Sequence, residues 1–214
     1  TMKRKIALFD FDKTVIAKDS ILILYEKTAK KKPGFRRNLY RHCLGHVFAG
    51  RRDDLKKAIK EEFLSMIGHY TPAELKAFVK DNVMAYAFEE AIEEIRRLKA
   101  EGYYLMLVSA SAQDYLQYIK DFLPFDHIIG TETDAEYRIV GENNKHAVKV
   151  DNILAHLTEK GIEIDYDNSV AYSDSLSADR PMLELVKHRY LINAAVIPEG
   201  YTKLSWSKQK AYRR

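Results

Sequence analysis

The sequence predicts an α/β fold: a parallel sheet between helices, with a small helical segment inserted after the first core strand. Two observations carry this prediction. Short runs of consecutive apolar residues, typical of strands buried on both faces, alternate with segments whose apolar residues recur at helical spacing. Several of these runs end in Asp or Ser, at the sheet edge where open α/β folds keep their ligand-binding residues.

The first core strand is expected at residues 6–9, four consecutive apolar residues that lead directly into Asp10 and Asp12, with Thr14 two positions further on. Two carboxylates this close repel each other, so holding them together requires a cation or a raised pKa. Mg²⁺, which prefers carboxylate and phosphate oxygens, is the natural candidate. An Asp-x-Asp sequence can also simply begin a polar turn, so the assignment depends on the other strand ends.

Residues 19–85 are predicted to form a helical insert, which divides the α/β core into residues 1–18 and 86–214. Asp19-Ser20 is a good helix start, and Thr71 followed by Pro72 and Glu74 is another. Between residues 27 and 60, twelve Lys and Arg against two Asp leave a local net charge of +10. This run is either a solvated helical face or a surface that attracts an anionic substrate or an anionic bilayer. Nucleic acid is a weaker option for this run, because it matches no base-reading motif.

The rest of the chain alternates between helical and strand patterns, which implies parallel strands joined by right-handed crossovers. The expected elements are a helix from Phe88 to Gly102, a strand at 104–108, a helix at 115–122, a strand at 127–129, a hairpin flap at 131–142, a helix at 148–157, a strand at 169–172, a helix at 181–186 and a strand at 190–192. The basic tail from Lys203 to Arg214 is expected to be loosely held.

Composition points to a globular protein of a reducing compartment. The only cysteine is Cys43, so no intrachain disulfide can form, and a cytoplasmic location is expected. The basic residues 3–5 precede only four apolar residues, so we expect no secretory signal. No apolar run approaches the ~20 residues that a membrane-spanning helix needs.

Polar residues end three of the predicted core strands: Asp10 and Asp12, then Ser109, then Asp174. Parallel strands share one carboxyl-terminal edge, so these groups are expected to converge, and a lysine from residues 145–149 can join them. Carboxylates, a hydroxyl, an ammonium and a metal form a set suited to phosphoryl transfer. One carboxylate can attack phosphorus, and its neighbour can protonate the leaving oxygen and later activate water.

These residues resemble the four motifs of the haloacid dehalogenase superfamily. The matching segments are Asp10-Phe11-Asp12-Lys13-Thr14, Val108-Ser109-Ala110-Ser111, the segment around Lys149, and residues 172–179. The helical insert resembles the cap of subfamily IB, the phosphoserine-phosphatase-like branch. The resemblance implies a Rossmann-like sheet and a Mg²⁺-dependent phosphatase that forms an aspartyl-phosphate.

The resemblance also implies a role for each site residue. Asp10 would be the nucleophile and Asp12 the general acid and base. Phosphate would be bound by Ser109, Ala110 and Lys149, with Lys145 as the alternative lysine. Mg²⁺ would be held by Asp10, the main-chain carbonyl of Asp12 and Asp174, with Asp179 supporting the metal site.

The substrate is expected to be a small anionic phosphomonoester. Asp19 stands where phosphoserine phosphatases have a glutamate that holds the substrate ammonium, although Asp19 can equally be a helix cap. Residues 109–111 depart from the paired glycines of those enzymes, and residues 172–190 resemble phosphatidylglycerophosphatase C. Phosphoserine and a lipid headgroup are therefore alternative substrates. A basic membrane-surface or nucleic-acid-binding module is the non-enzyme alternative, and the sequence assigns no oligomeric state.

Overall fold

The structure is a computed structural model that describes residues 1–50 and 54–208. Arg51, Arg52 and Asp53 of the predicted basic run lie outside the described residues, as do residues 209–214 of the predicted basic tail.

A six-stranded parallel sheet forms the centre of the fold. The described residues form eight strands, of which six belong to this sheet. They are β1 (Met2–Arg4), β2 (Ile6–Phe9), β3 (Tyr104–Ala112), β4 (His127–Thr131), β5 (Ile162–Ile164), β6 (Val170–Ser173), β7 (His188–Ile192) and β8 (Thr202–Leu204). The main sheet has the order β4-β3-β2-β6-β7-β8, and every neighbouring pair in it is parallel. β1 and β5 pair separately as a two-stranded parallel sheet. The predicted fold class, a parallel sheet between helices, is confirmed.

The helices of the described residues lie mostly between these strands. They are α1 (Ser20–Lys31), α2 (Phe35–Phe48), α3 (Leu55–Leu64), α4 (Pro72–Phe78), α5 (Glu89–Ala100), α6 (Gln113–Leu116), α7 (Ala147–Glu159) and α8 (Leu176–Leu183). Short 3-10 turns occupy Ser65–His69, Met84–Tyr86, Gln117–Asp121 and Tyr166–Asn168, and a π-helical turn occupies Val79–Val83.

Burial on both faces explains the sequence of β2. All four of its side chains are completely buried. Ala7 and Phe9 join the larger apolar cluster on one face of the sheet, whereas Ile6 and Leu8 join a second cluster on the other face. Because successive strand residues point to opposite faces, only a strand covered on both sides needs four apolar residues in a row.

The helical insert leaves and rejoins the core through two adjacent segments. The main-chain N–H of Ala17 donates to the carbonyl of Tyr86 at 2.9 Å, and the N–H of Phe88 donates to the carbonyl of Val15 at 2.9 Å. The described part of residues 19–85 contains α1 to α4 and no strand, in agreement with the predicted helical insert, and α4 begins with the expected capping box. Their status as a separate domain stays a prediction.

Two predicted helices have different bounds in the structure. The helix predicted at 115–122 is only a four-residue helix, α6, followed by the 3-10 turn Gln117–Asp121. The helix predicted to start at Pro181 starts five residues earlier, because Ser175 accepts a hydrogen bond from the Ala178 N–H at 3.2 Å and caps it. Pro181 therefore lies inside α8.

The chain beyond Lys203 is held more firmly than predicted, up to the last described residue. β8 adds to the edge of the sheet, and the buried Trp206 exchanges hydrogen bonds of 2.8 and 2.9 Å with the Asn193 side chain. The N–H of Glu89 donates to the carbonyl of Lys208 at 2.7 Å. Among the described residues, no helix has both the length and the apolar character needed to cross a membrane.

Candidate active site

Asp10 and Asp174 are brought together at the carboxyl end of the sheet. Asp10 follows β2, and its main-chain N–H donates to the carbonyl of Tyr172 in β6 at 3.0 Å. The hydroxyl oxygen of Thr14 lies 3.2 Å from Asp10 Oδ2 and 3.4 Å from Asp174 Oδ1, and it accepts the main-chain N–H of Asp174 at 2.9 Å. Thr14 thus joins the ends of two neighbouring strands and holds the two carboxylates side by side.

Lys149, in the first turns of α7, reaches into this pair. Its Nζ lies 2.9 Å from Asp10 Oδ1 and 2.9 Å from Asp179 Oδ1, and its side chain is 3% exposed. Burial lowers the pKa of Lys149, but the charges of Asp10 and Asp179 outweigh burial and raise it above its usual value. The second carboxylate oxygen of Asp179, Oδ2, accepts a hydrogen bond of 2.7 Å from the Ser173 hydroxyl.

The Asp12 carboxylate is hydrogen-bonded to Ser20 and Ser111, which belong to a network of hydroxyl groups. The N–H of Ser20, the first residue of α1, donates to Asp12 Oδ1 at 2.7 Å, and the hydroxyl of Ser111 donates to Oδ2. The Ser20 hydroxyl lies 2.7 Å from the Tyr115 hydroxyl and 3.1 Å from that of Ser111. Burial raises the pKa of Asp12 to about 6 against the lowering effect of these hydrogen bonds. A carboxyl group with such a pKa can both give and take a proton near neutral pH.

The donor set at the sheet edge fits a hard divalent cation. Burial, reinforced by the charge of Asp10, raises the pKa of Asp174 to about 7, and burial likewise raises the pKa of Asp179. A cation between Asp10 and Asp174 would relieve this repulsion. Within residues 1–50 and 54–208, no three Asp, Glu, His or Cys side chains are arranged to hold a metal. That Asp10, the main-chain carbonyl of Asp12 and Asp174 hold Mg²⁺, with Asp179 in support, stays a prediction.

The predicted site residues all line one cavity of about 210 Å³, which we name the carboxylate cavity. Its lining consists of Asp10, Asp12, Lys13, Asp19, Ser109, Ala110, Lys145, Lys149, Asp174, Ala178 and Asp179. The structure thus brings together residues that are up to 169 positions apart in the chain.

The carboxyl-terminal end of β3 forms one wall of the carboxylate cavity. Ser109 is buried, and its hydroxyl oxygen accepts the main-chain N–H of Ser111 at 3.0 Å. The carbonyl of Ala110 accepts a hydrogen bond of 2.7 Å from Nζ of Lys60 in α3, and Lys60 also donates to the side-chain oxygen of Asn143. Burial, together with the charge of Lys145, lowers the pKa of Lys60 to about 8. Lys60 therefore ties the helical insert to the wall of the cavity.

Asp19 and Lys145 lie at the rim of the cavity. Asp19 precedes α1 at the N-cap position, but its side chain makes no capping hydrogen bond. Instead, its carboxylate pairs with Lys13 Nζ at 3.2 Å. Lys145 is exposed to solvent, in contrast to the buried Lys149.

Several contacts were not predicted from the sequence. Ser20 and Tyr115 complete the surroundings of Asp12, and Lys60 binds the carbonyl of Ala110. Ser20 follows a helix start, which is a usable signal for an N–H aimed at an anion. Lys60 is one of twelve basic residues in its segment, and nothing in the sequence distinguishes it from the others.

Comparison with known proteins identifies the family. A family model described as haloacid dehalogenase-like hydrolase matches residues 7–184. The chain belongs to this family of hydrolases. The predicted superfamily and the prediction of a hydrolytic enzyme are therefore confirmed. A protein of Mycobacterium tuberculosis named "Probable phosphatase" is 28% identical over 211 residues, which cover 89% of this chain and 69% of that protein.

Solved structures share the fold at low sequence identity. A protein of unknown function from Bordetella pertussis superposes with a TM-score of 0.73 and 22% identity, covering 91% of this chain and 92% of that one. A substrate-bound phosphoserine phosphatase superposes with a TM-score of 0.64 and 19% identity, covering 98% of this chain and 95% of that one. A phospho-aspartyl intermediate analogue of phosphoserine phosphatase superposes with a TM-score of 0.62 and 20% identity. The match covers 90% of this chain and 88% of that one.

Proposed function

We propose that this hydrolase is a Mg²⁺-dependent phosphomonoesterase that passes its phosphoryl group through an aspartyl-phosphate on Asp10. One observation carries the proposal: the Asp10 carboxylate lines the carboxylate cavity with Lys149 Nζ 2.9 Å from one oxygen and the Thr14 hydroxyl 3.2 Å from the other. These two contacts orient a carboxylate towards a ligand in the cavity. An oriented nucleophile of this kind can form a covalent intermediate that divides hydrolysis into two easier steps.

In the first step, an Asp10 oxygen attacks phosphorus and the bond between phosphorus and the ester oxygen breaks. The departing alkoxide takes the proton of Asp12, whose pKa of about 6 leaves part of the population protonated near neutral pH. The Lys149 ammonium and the Ser109 hydroxyl, which line the same cavity, would bind the phosphoryl oxygens. The buried contact of Lys149 with Asp10 favours it over the exposed Lys145 for this role.

In the second step, water attacks the phosphorus of the aspartyl-phosphate and gives its proton to the Asp12 carboxylate. Inorganic phosphate leaves, and both aspartates return to their starting states. The hydrogen bonds from Ser20 and Ser111 hold the Asp12 carboxylate in place during both proton transfers. Asp10, Asp174 and the main-chain carbonyl of Asp12 would hold Mg²⁺, which supplies positive charge against the phosphoryl oxygens when bound.

The proposed substrate is a small-molecule phosphomonoester. Phosphoserine is the alternative suggested by the structural neighbours, but a substrate ammonium at Asp19 would have to displace Lys13 from its salt bridge. A lipid headgroup is a second alternative, since the basic surface of the insert would suit an anionic bilayer. The cytoplasmic location stays a prediction from the single cysteine.

The test is turnover by the Asp10→Asn variant, measured by phosphate release in Mg²⁺ and again after removal of the metal with EDTA. We expect wild-type turnover that depends on Mg²⁺, and loss of turnover by at least about 10³-fold in the variant, because an amide cannot attack phosphorus. The matched control is Asp167→Asn, an exposed aspartate near β6, which should retain wild-type rates. Metal-dependent turnover by folded Asp10→Asn at near the wild-type rate would refute the nucleophile assignment.

A further inference from the structure

A second cavity opens beside the carboxylate cavity, between the helical insert and the core. It has a volume of about 390 Å³, and we name it the apolar pocket. Its apolar wall consists of Ile21, Leu22, Ile59, Phe63, Leu64 and Tyr115. Five of these six residues come from α1 and α3 in the insert, and Tyr115 comes from α6 in the core.

The two cavities meet at the proposed acid and base. Asp12, Ala110 and Lys145 line both of them. In the proposed reaction, Asp12 gives its proton to the ester oxygen, so that oxygen must lie at this junction. The phosphoryl group then occupies the carboxylate cavity, and the organic part of the substrate extends past Asp12 in the other direction, into the apolar pocket.

Besides Asp12, the charged residues that line the apolar pocket are three lysines, Lys56, Lys60 and Lys145. Lys56 and Lys145 line it and are exposed, and within residues 1–50 and 54–208 neither forms a salt bridge. Lys60 is bound to the carbonyl of Ala110 and joins the insert to the core at this pocket. The site therefore matches a ligand that is anionic at one end and apolar at the other.

We infer that the apolar pocket binds the leaving group, and that the preferred substrates are phosphate monoesters of apolar alcohols rather than of amino acids or polyols. This inference rests on the proposed function, because only a phosphoryl group at Asp10 fixes which way the substrate extends. The pocket removes the alcohol from water, and burial of each methylene favours binding roughly fourfold.

A matched series of esters tests the inference on the whole 214-residue chain. Ethyl, n-hexyl and benzyl phosphate are measured beside phosphoserine and glycerol 3-phosphate. Ethyl and n-hexyl phosphate have leaving groups of nearly equal basicity, so their intrinsic reactivity is nearly the same. We expect kcat/KM to be at least about tenfold higher for n-hexyl than for ethyl phosphate, since four further methylenes can be buried. A larger gain for benzyl phosphate would indicate an aromatic substrate, and a larger gain for n-hexyl phosphate an aliphatic one.

Two variants locate the effect. Leu22→Asn changes a pocket residue that is already 47% exposed, so it should fold, and Phe63→Ala widens the pocket from the other helix. Both should reduce the n-hexyl to ethyl ratio of kcat/KM to below about threefold. Leu154→Ala, an exposed leucine on α7 outside the pocket, is the control and should leave the ratio unchanged. A ratio that survives both pocket variants, or a ratio near one in the wild type, would overturn the inference.

Binding of unreactive analogues separates this inference from the proposed reaction. Ethylphosphonate and n-hexylphosphonate are titrated by calorimetry into wild-type protein in Mg²⁺. Binding of n-hexylphosphonate at least about tenfold tighter, without turnover of any ester, would refute the proposed hydrolysis and leave the pocket assignment standing. Equal affinities together with turnover of the esters would refute the pocket assignment and leave the hydrolysis standing.

Discussion

Replacing Lys149 by Met tests the charge balance of the site through folding stability. The Lys149 ammonium is the shared partner of Asp10 and Asp179, at 2.9 Å from each, and all three side chains are at most 13% exposed. Removing one partner of a buried ion pair typically costs about 3–5 kcal/mol, because an uncompensated charge stays behind. For a chain of 214 residues this corresponds to a Tm lowered by roughly 6–20 °C.

The lowering of Tm by Lys149→Met should depend on pH in a defined direction. The pKa values of Asp174, about 7, and of Asp179 are raised above the usual aspartate value, so the folded state gains stability as pH falls through them. Lys149 lowers the pKa of Asp179, so the Met variant has a still higher pKa there and gains more on acidification. The Tm difference between wild type and variant should therefore be largest near pH 8 and smaller at pH 5.

The assay is thermal unfolding by circular dichroism in EDTA, so that no cation replaces the lost ammonium. Lys187→Met is the matched control: its Nζ lies 3.3 Å from Asp167 Oδ1, and both side chains are more than half exposed. Such surface pairs are worth about 0–1 kcal/mol, so this variant should unfold close to the wild type at every pH. Equal Tm values for the Lys149→Met and Lys187→Met proteins at pH 8 would refute the reasoning.

Further predictions concern packing and acid sensitivity. Gly130→Ala should lower the Tm and kcat/KM together, at a cost of about 1–3 kcal/mol, because its Cβ would lie 2.8 Å from the main-chain oxygen of Ser111. Gly45→Ala, in a helix with open space around the glycine, should instead raise the Tm slightly. The pKa of His127 is lowered to about 4 by burial and by the stacked His156, so the folded state loses stability as pH falls from about 6.5 towards 4. His127→Gln should therefore lose less Tm than wild type between pH 7 and pH 5, and an equal loss would contradict this assignment.

Strands with a strong apolar pattern could be predicted from the sequence. Residues 6–9 and 104–108 are recognisable because burial on both faces requires continuous apolar runs. Three short strands, β1, β5 and β8, were not predicted. Each has only three residues, and their pairing with neighbouring strands, rather than any pattern of their own, defines them.

Site residues that directly follow an apolar strand could be predicted from the sequence. Site contacts that depend on tertiary packing could not. Asp10 and Asp174 follow apolar strands, so the parallel sheet itself predicts that they meet. The surroundings of Asp12 depend on Ser111 and Tyr115, which lie about a hundred positions away in the chain and carry no pattern of their own. The hydrogen bonds of Ser20 with Ser111 and Tyr115 join the first residue of α1 to β3 and α6, a tertiary contact that no local sequence signal describes.

The position of Trp206 offers a built-in optical signal. It is the only tryptophan of the chain, it is 7% exposed, and its ring lies 6.0 Å from that of Tyr172, two residues before Asp174. Its emission will therefore report whether the terminal segment stays seated on the sheet. Detachment of that segment would expose the indole to water and shift its fluorescence to longer wavelength.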